Sequence, residues 1–199
     1  HLSASDCFAQ ALALRPGDRK ALTGEARAFF YEERYTDAAD AYSRLIESQP
    51  DNRGHILAYS VCLTNLAAYD KALPLLYKLN YEQPDDPAAN RVMARALTGS
   101  GKYDQALKLY EALLDGDRKE DDDLVNCGYC EWFMGRVPEA ISHFSAYLDK
   151  LYPQARPEEI LTHCQEDIID SERDFILAHG ITETEMQLMG DAVFDKALR

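Results

Sequence analysis

The sequence predicts an all-α protein built from helical hairpins repeated in tandem. Three observations predict it: a 34-residue period, apolar residues three and four apart within each period, and proline at a fixed phase between periods. The period is strict. Ala38, Ala72, Ala106 and Ala140 share one phase, preceded three residues earlier by Tyr35, Tyr69, Tyr103 and Val137 and followed four residues later by Tyr42, Leu76, Tyr110 and Phe144.

Each element follows from that register. Residues 1–18 carry Ala4, Phe8, Ala11, Leu12 and Pro16, the pattern of a second helix with no first helix before it. The expectation is therefore of a C-terminal fragment of a longer array, whose intact protein continues N-terminally with more repeats. Four units follow, 19–52, 53–86, 87–120 and 121–154. In each, a run such as Leu22, Ala26, Phe29 and a second such as Ala38, Tyr42, Leu45 mark two amphipathic helices. One phase holds only small residues, Ala26, Ser60, Ala94 and Gly128, where the two helices of a hairpin can approach closely. Pro16, Pro50 and Pro84, replaced by Arg118 in the next period, stop one helix before the turn to the next.

After Pro153 the phase is lost. Residues 157–178 read as one long helix with Leu161, Cys164, Ile168, Phe175 and Ala178 on a stripe, ended by Gly180. Thr182 and Glu185 then form a capping box for a last helix presenting Met186, Met189, Val193 and Leu198. Residues 155–199 are thus expected to be a non-repeat helical cap with a polar outer face.

These residues resemble the tetratricopeptide repeat, whose pattern is a large residue, Leu-Gly, an aromatic, an Ala, an aromatic and a closing Pro. The resemblance covers about residues 2–152. It departs at Glu25 and Tyr59, which replace the first-helix Leu, at Glu131, where an aromatic is usual, and at the closing Pro of the last two units. It implies an α-solenoid, a right-handed superhelix of antiparallel helix pairs, used as a protein–protein interaction scaffold without catalysis.

Charge narrows the partners. The net charge is −14, with 13 basic and 15 acidic residues in 1–114 against 8 and 20 in 115–199. Nucleic acid and anionic membrane are held mainly through Lys and Arg, so neither is expected as a partner. No run reaches the roughly 18–20 apolar residues of a membrane span. Five scattered cysteines, Cys7, Cys62, Cys127, Cys130 and Cys164, do not make a disulfide framework. Reduced thiols and a cytoplasmic setting are expected.

Little in the sequence asks for chemistry. Cys127 and Cys130 have redox-motif spacing, but the repeat register puts both in mid-helix, away from a helix N-terminus that would lower a thiol pKa. No second pair supplies the other ligands of a zinc site, so no metal and no cofactor are expected. The acidic run Glu120–Asp123 suits a helix cap and first turn. His55 and His143 have no neighbour placed to make a nucleophile and base pair.

The resemblance also implies which positions face the groove. Carried over residue by residue, the family's groove phases select Lys20, Arg27, Phe30 and Tyr31; Leu57, Val61, Thr64 and Asn65; Arg91, Arg95 and Thr98; and Asn126, Tyr129, Trp132 and Phe133. The Lys and Asn clamp by which chaperone-binding members hold terminal carboxylates is missing, since Thr23 and Arg27, or Leu57 and Val61, stand there. The candidate site is then Lys20, Arg27, Tyr31, Asn65, Arg91, Arg95, Asn126, Tyr129, Trp132 and Phe133. It suits a protein or peptide segment that is acidic and carries an apolar anchor. Either the fourth-unit aromatics line this groove or the helix after Pro157 covers them. Self-association through the N-terminal helix is the alternative use of the chain.

Overall fold

The computed structural model describes residues 3–199, so residues 1 and 2, which the sequence assigns to the first truncated repeat, lie outside it. Among the described residues the chain is helical throughout, without strands, and forms two compact units divided between Ser100 and Gly101.

The first unit contains α1 (Ala4–Leu14), α2 (Arg19–Tyr31), α3 (Tyr35–Ser48), α4 (Arg53–Asn65), α5 (Tyr69–Glu82) and α6 (Pro87–Gly99). Each helix packs on the next. The period has a local cause at both ends of each first helix. Asp18, Asn52 and Asp86 cap α2, α4 and α6 with side-chain oxygens that accept main-chain N–H groups of the first turn. Thirty-four residues apart again, Glu33 and Ala67 turn the chain between the helices of a hairpin with φ of 57° and 55°, a left-handed conformation that glycine adopts at less cost. Ala26, Ala38, Leu45, Ala72 and Leu76 have no exposed surface, and Tyr42 has 5%. The repeat phases are therefore the core.

The second unit contains α7 (Tyr103–Asp115), α8 (Asp121–Phe133), α9 (Val137–Leu151), α10 (Pro157–His163), a π-helical segment (Cys164–Asp170), α11 (Arg173–Ala178) and α12 (Glu183–Ala197). Here the left-handed turn positions are Gly101 and Gly135. Glu120 and Asp123 form a reciprocal cap that starts α8 at Asp121, so the acidic run serves as cap and first turn. Ala106, Ala140, Phe144 and Leu148 are fully buried. The small phase is used as expected: a Cβ on Gly128 would lie 2.4 Å from the Phe144 ring.

The single helix expected over 157–178 is instead three pieces. The wider π turn brings both Ile168 and Ile169 fully into the core, which adjacent residues of an α-helix do less readily. Ser171 and Glu172 then turn the chain before α11, and Gly180 follows its end with φ of 88°. The Thr182–Glu185 capping box forms as expected, with Met186, Met189 and Val193 buried beneath α12. Ala178 and Leu198 do not join that packing; both are exposed.

Candidate functional site

The positions selected for the groove fall into two groups with different fates. In the second unit, Tyr129 and Trp132 are each only 4% exposed, so neither can meet a partner. Trp132 lies edge-on to Phe144, 6.0 Å between ring centroids, inside the α8–α9 hairpin. Tyr129 packs on Phe144 and Phe175 and donates from its hydroxyl to the Ile168 carbonyl at 2.6 Å. Phe133 is half-buried, stacked on His179 at 4.7 Å and edge-on to Phe175 at 5.7 Å. The cap helices thus occupy the aromatic face of α8: of the two arrangements that the sequence leaves open for the fourth-unit aromatics, the covered one is found. Asn126 donates to the Asp122 carbonyl of its own helix at 2.8 Å.

In the first unit the selected residues stay accessible. Lys20, Arg27, Tyr31 and Arg95 are exposed, Asn65 and Arg91 half-buried. Arg91 and Arg95 stand four apart on α6, and Asn65 Nδ2 donates to the Val61 carbonyl at 2.9 Å. Arg27 and Tyr31 share a pocket. It has a volume of about 370 Å³ and lies between α2 and α4, lined by Thr23, Arg27, Phe30 and Tyr31, by Tyr42 of α3, and by Asn52, Gly54, His55 and Ala58.

This pocket has a definite chemistry. Its walls are largely rings: Phe30 lies edge-on to Tyr31 at 6.0 Å, and Tyr42 is tilted against His55 at 6.2 Å. Tyr31 is 76% exposed, an unusual position for a large ring. No Asp or Glu lines the pocket, and Arg27 has no ion pair among the described residues. Burial pushes the Tyr42 hydroxyl pKa up, and the Arg27 charge acts in the opposite direction, which places the guanidinium within electrostatic reach of that hydroxyl. Burial lowers the pKa of His55, and its Nδ1 is buried without a hydrogen-bond partner among the described residues.

His55 and Tyr42 belong to this pocket, and the groove phases missed both. Tyr42 reads from sequence as a core residue, which its body is. His55 follows the capping Asn52, whose Oδ1 accepts the His55 main-chain N–H at 3.1 Å. That cap was the available signal, because it fixes where α4 starts and so places His55 in its first turn.

The cysteines lie elsewhere. Cys62, Cys127, Cys130 and Cys164 are buried and Cys7 is exposed, none of them in a disulfide among the described residues, and the Cys127–Cys130 pair lies mid-way along α8. Among the described residues no group of three or more His, Cys, Asp or Glu side chains could hold a metal ion.

Tandem hairpins of this period, capped and turned at fixed phases, define a tetratricopeptide-type helical repeat fold of the α-solenoid class. The chain belongs to the tetratricopeptide repeat family: one family profile matches residues 2–53 and 91–156, and a second matches 29–96. No curated protein matches it. Among solved structures it is similar to one described as "YrrB: a TPR protein with an unusual peptide-binding site", at 20% identity and TM-score 0.64 over 81% of each chain. It is also similar to a MamA RS-1 double mutant, at 17% identity and TM-score 0.65 over 75% of this chain and 84% of that one. A third is MamA 41-end from Desulfovibrio magneticus RS-1, at 16% identity and TM-score 0.60 over 77% and 98%. These likenesses are of fold. The family is typically one of non-catalytic scaffolds for protein interaction, and no helix among the described residues is long and apolar enough to cross a membrane.

Proposed function

We propose that this chain binds an extended segment of a partner protein along the first-helix face of α2, α4 and α6. The partner's acidic part lies near Arg27, Arg91 and Arg95, and its apolar anchor enters the α2–α4 pocket. The observation that carries this reading is the pocket itself, ring-walled and open, with Arg27 beside it and no carboxylate in its lining. Arg95 too has no ion pair among the described residues. Repulsion from the net charge is modest on this side of the chain, because residues 1–100 hold 11 basic and 13 acidic side chains against 10 and 22 in 101–199. The peptide site of the YrrB structure is a property of that protein and enters only as a parallel.

Selection of a displayed random-peptide library on the full chain tests the reading. Enriched sequences are expected to be acidic with a large apolar residue, and to lose affinity by about 1–3 kcal/mol when Arg91 and Arg95 are both replaced by Ala. Their binding should also weaken with salt, because the attraction is partly screened. Peptides that bind equally to the double variant and to Arg27→Ala would place the site away from this face.

Self-association is a second reading, favoured by one observation: Ala4, Cys7, Ala11 and Leu14 are exposed along α1, Leu14 at 85%. Sedimentation of the chain at rising concentration should then show a dimer that Leu14→Asp abolishes. A monomer throughout would exclude it.

A further inference from the structure

We infer that the α2–α4 pocket is a carboxylate subsite that takes one acidic side chain of the bound segment. The Arg27 guanidinium and the Nε2–H of His55 are its donors, and the rings of Phe30, Tyr31 and Tyr42 are walls for the adjoining apolar side chain. This rests on the peptide-binding reading above and names what one pocket of that face recognises.

The balance of donors and acceptors in the pocket points to the ligand. No carboxylate lines the pocket, and two of its polar side chains are already committed: Asn52 Oδ1 accepts from His55 N, and the Thr23 hydroxyl gives its proton to the Arg19 carbonyl at 2.8 Å. Arg27 has no carboxylate partner among the described residues, although the chain holds 35 acidic side chains. His55 adds a second donor, because of where its buried nitrogen lies. Nδ1 is enclosed and unpartnered, and an enclosed N–H without an acceptor is the costlier kind of orphan. The proton of the neutral ring therefore belongs on Nε2, a tautomer assigned from the surroundings. The phenol groups of Tyr31 and Tyr42 can donate as well.

A surplus of donors with one full positive charge fits an anion, and a carboxylate matches the two-pronged guanidinium. The ring walls strengthen that pairing by lowering the local dielectric constant, and they bury an apolar neighbour of the acidic residue. Gly54 contributes room: it carries no side chain at the pocket wall.

The test uses the full chain and three short peptides followed by NMR. The first, acetylated and amidated, carries Glu beside Phe. The second has Gln for Glu. The third has Gln and a free C-terminal carboxylate. The Glu peptide is expected to shift the amide signals around Arg27 and His55 and to move the His55 Nε2–H signal. It should bind about ten-fold or more tightly than the Gln peptide. Arg27→Ala, at an exposed position, should keep the fold and abolish that difference. Equal binding of the Glu and Gln peptides would overturn the inference, as would a proton found on Nδ1 in the free protein. Tighter binding of the third peptide would assign the pocket to chain termini instead. Shifts confined to α6 around Arg91 and Arg95 would sink this subsite while leaving the peptide-binding reading in place; no shifts on α2, α4 or α6 would sink both.

Discussion

The Tyr129 hydroxyl of α8 donates to the main-chain carbonyl of Ile168 at 2.6 Å, so the last repeat is bonded to the π-helical segment of the cap. Both partners are buried, and water cannot replace the bond. Tyr129→Phe keeps the ring contacts and orphans the carbonyl, so it should destabilise the chain by about 1–3 kcal/mol. Denaturant unfolding measures this. An unchanged midpoint would mean that the carbonyl finds another donor.

Gly128 faces Phe144, the pair in which the small phase meets the large one. Gly128→Ala would put a Cβ 2.4 Å from the ring of a side chain with no exposed surface, so the cost should be about 1–3 kcal/mol or more despite alanine's better helix propensity. Adding Phe144→Leu should recover part of the loss. A double-mutant cycle with no coupling between the two sites would contradict the close approach.

Burial lowers the folded-state pKa of His55 below the unfolded value of 6.5. Below that pH the unfolded chain takes up the proton more readily than the folded one, so His55 removes stability as pH falls through about 6.5 and costs nothing above it. The stability difference between the native chain and His55→Gln should change in that direction between neutral and mildly acid pH. A constant difference would show that the imidazole titrates normally in the fold.

Cysteine reactivity should divide by burial. Burial pushes the Cys62 thiol to about 11 and the Cys164 thiol to about 12, and pushes Cys127 up further, so almost no thiolate is present at neutral pH. Iodoacetamide on the folded chain should modify exposed Cys7 and leave the other four untouched until the chain unfolds. Labelling of Cys127 or Cys130 in the native state, or zinc retained through dialysis, would require a different account of that pair.

The repeat is legible in the chain before any packing is known. A period of 34 residues with fixed small, large and turn-forming positions is local information, since each hairpin repeats the same contacts with its neighbours. Ala38, Ala72, Ala106 and Ala140 are accordingly all fully buried. The capping box at Thr182 was legible for the same reason, because it is made within four residues. Tertiary structure decided the rest. Tyr129 and Trp132 have groove-position phases, yet whether such a ring is exposed depends on what packs over it. The covering residues Ile168 and Phe175 lie some forty residues on, in a segment with no repeat to predict its path. The α2–α4 pocket is of the same kind: Arg27, Tyr42 and His55 come from three helices, and their convergence follows from the packing of hairpins and from a cap that sets the start of α4. Period and pattern specify which residues are buried in a repeat, whereas a pocket exists only where separate elements meet, which is a property of packing.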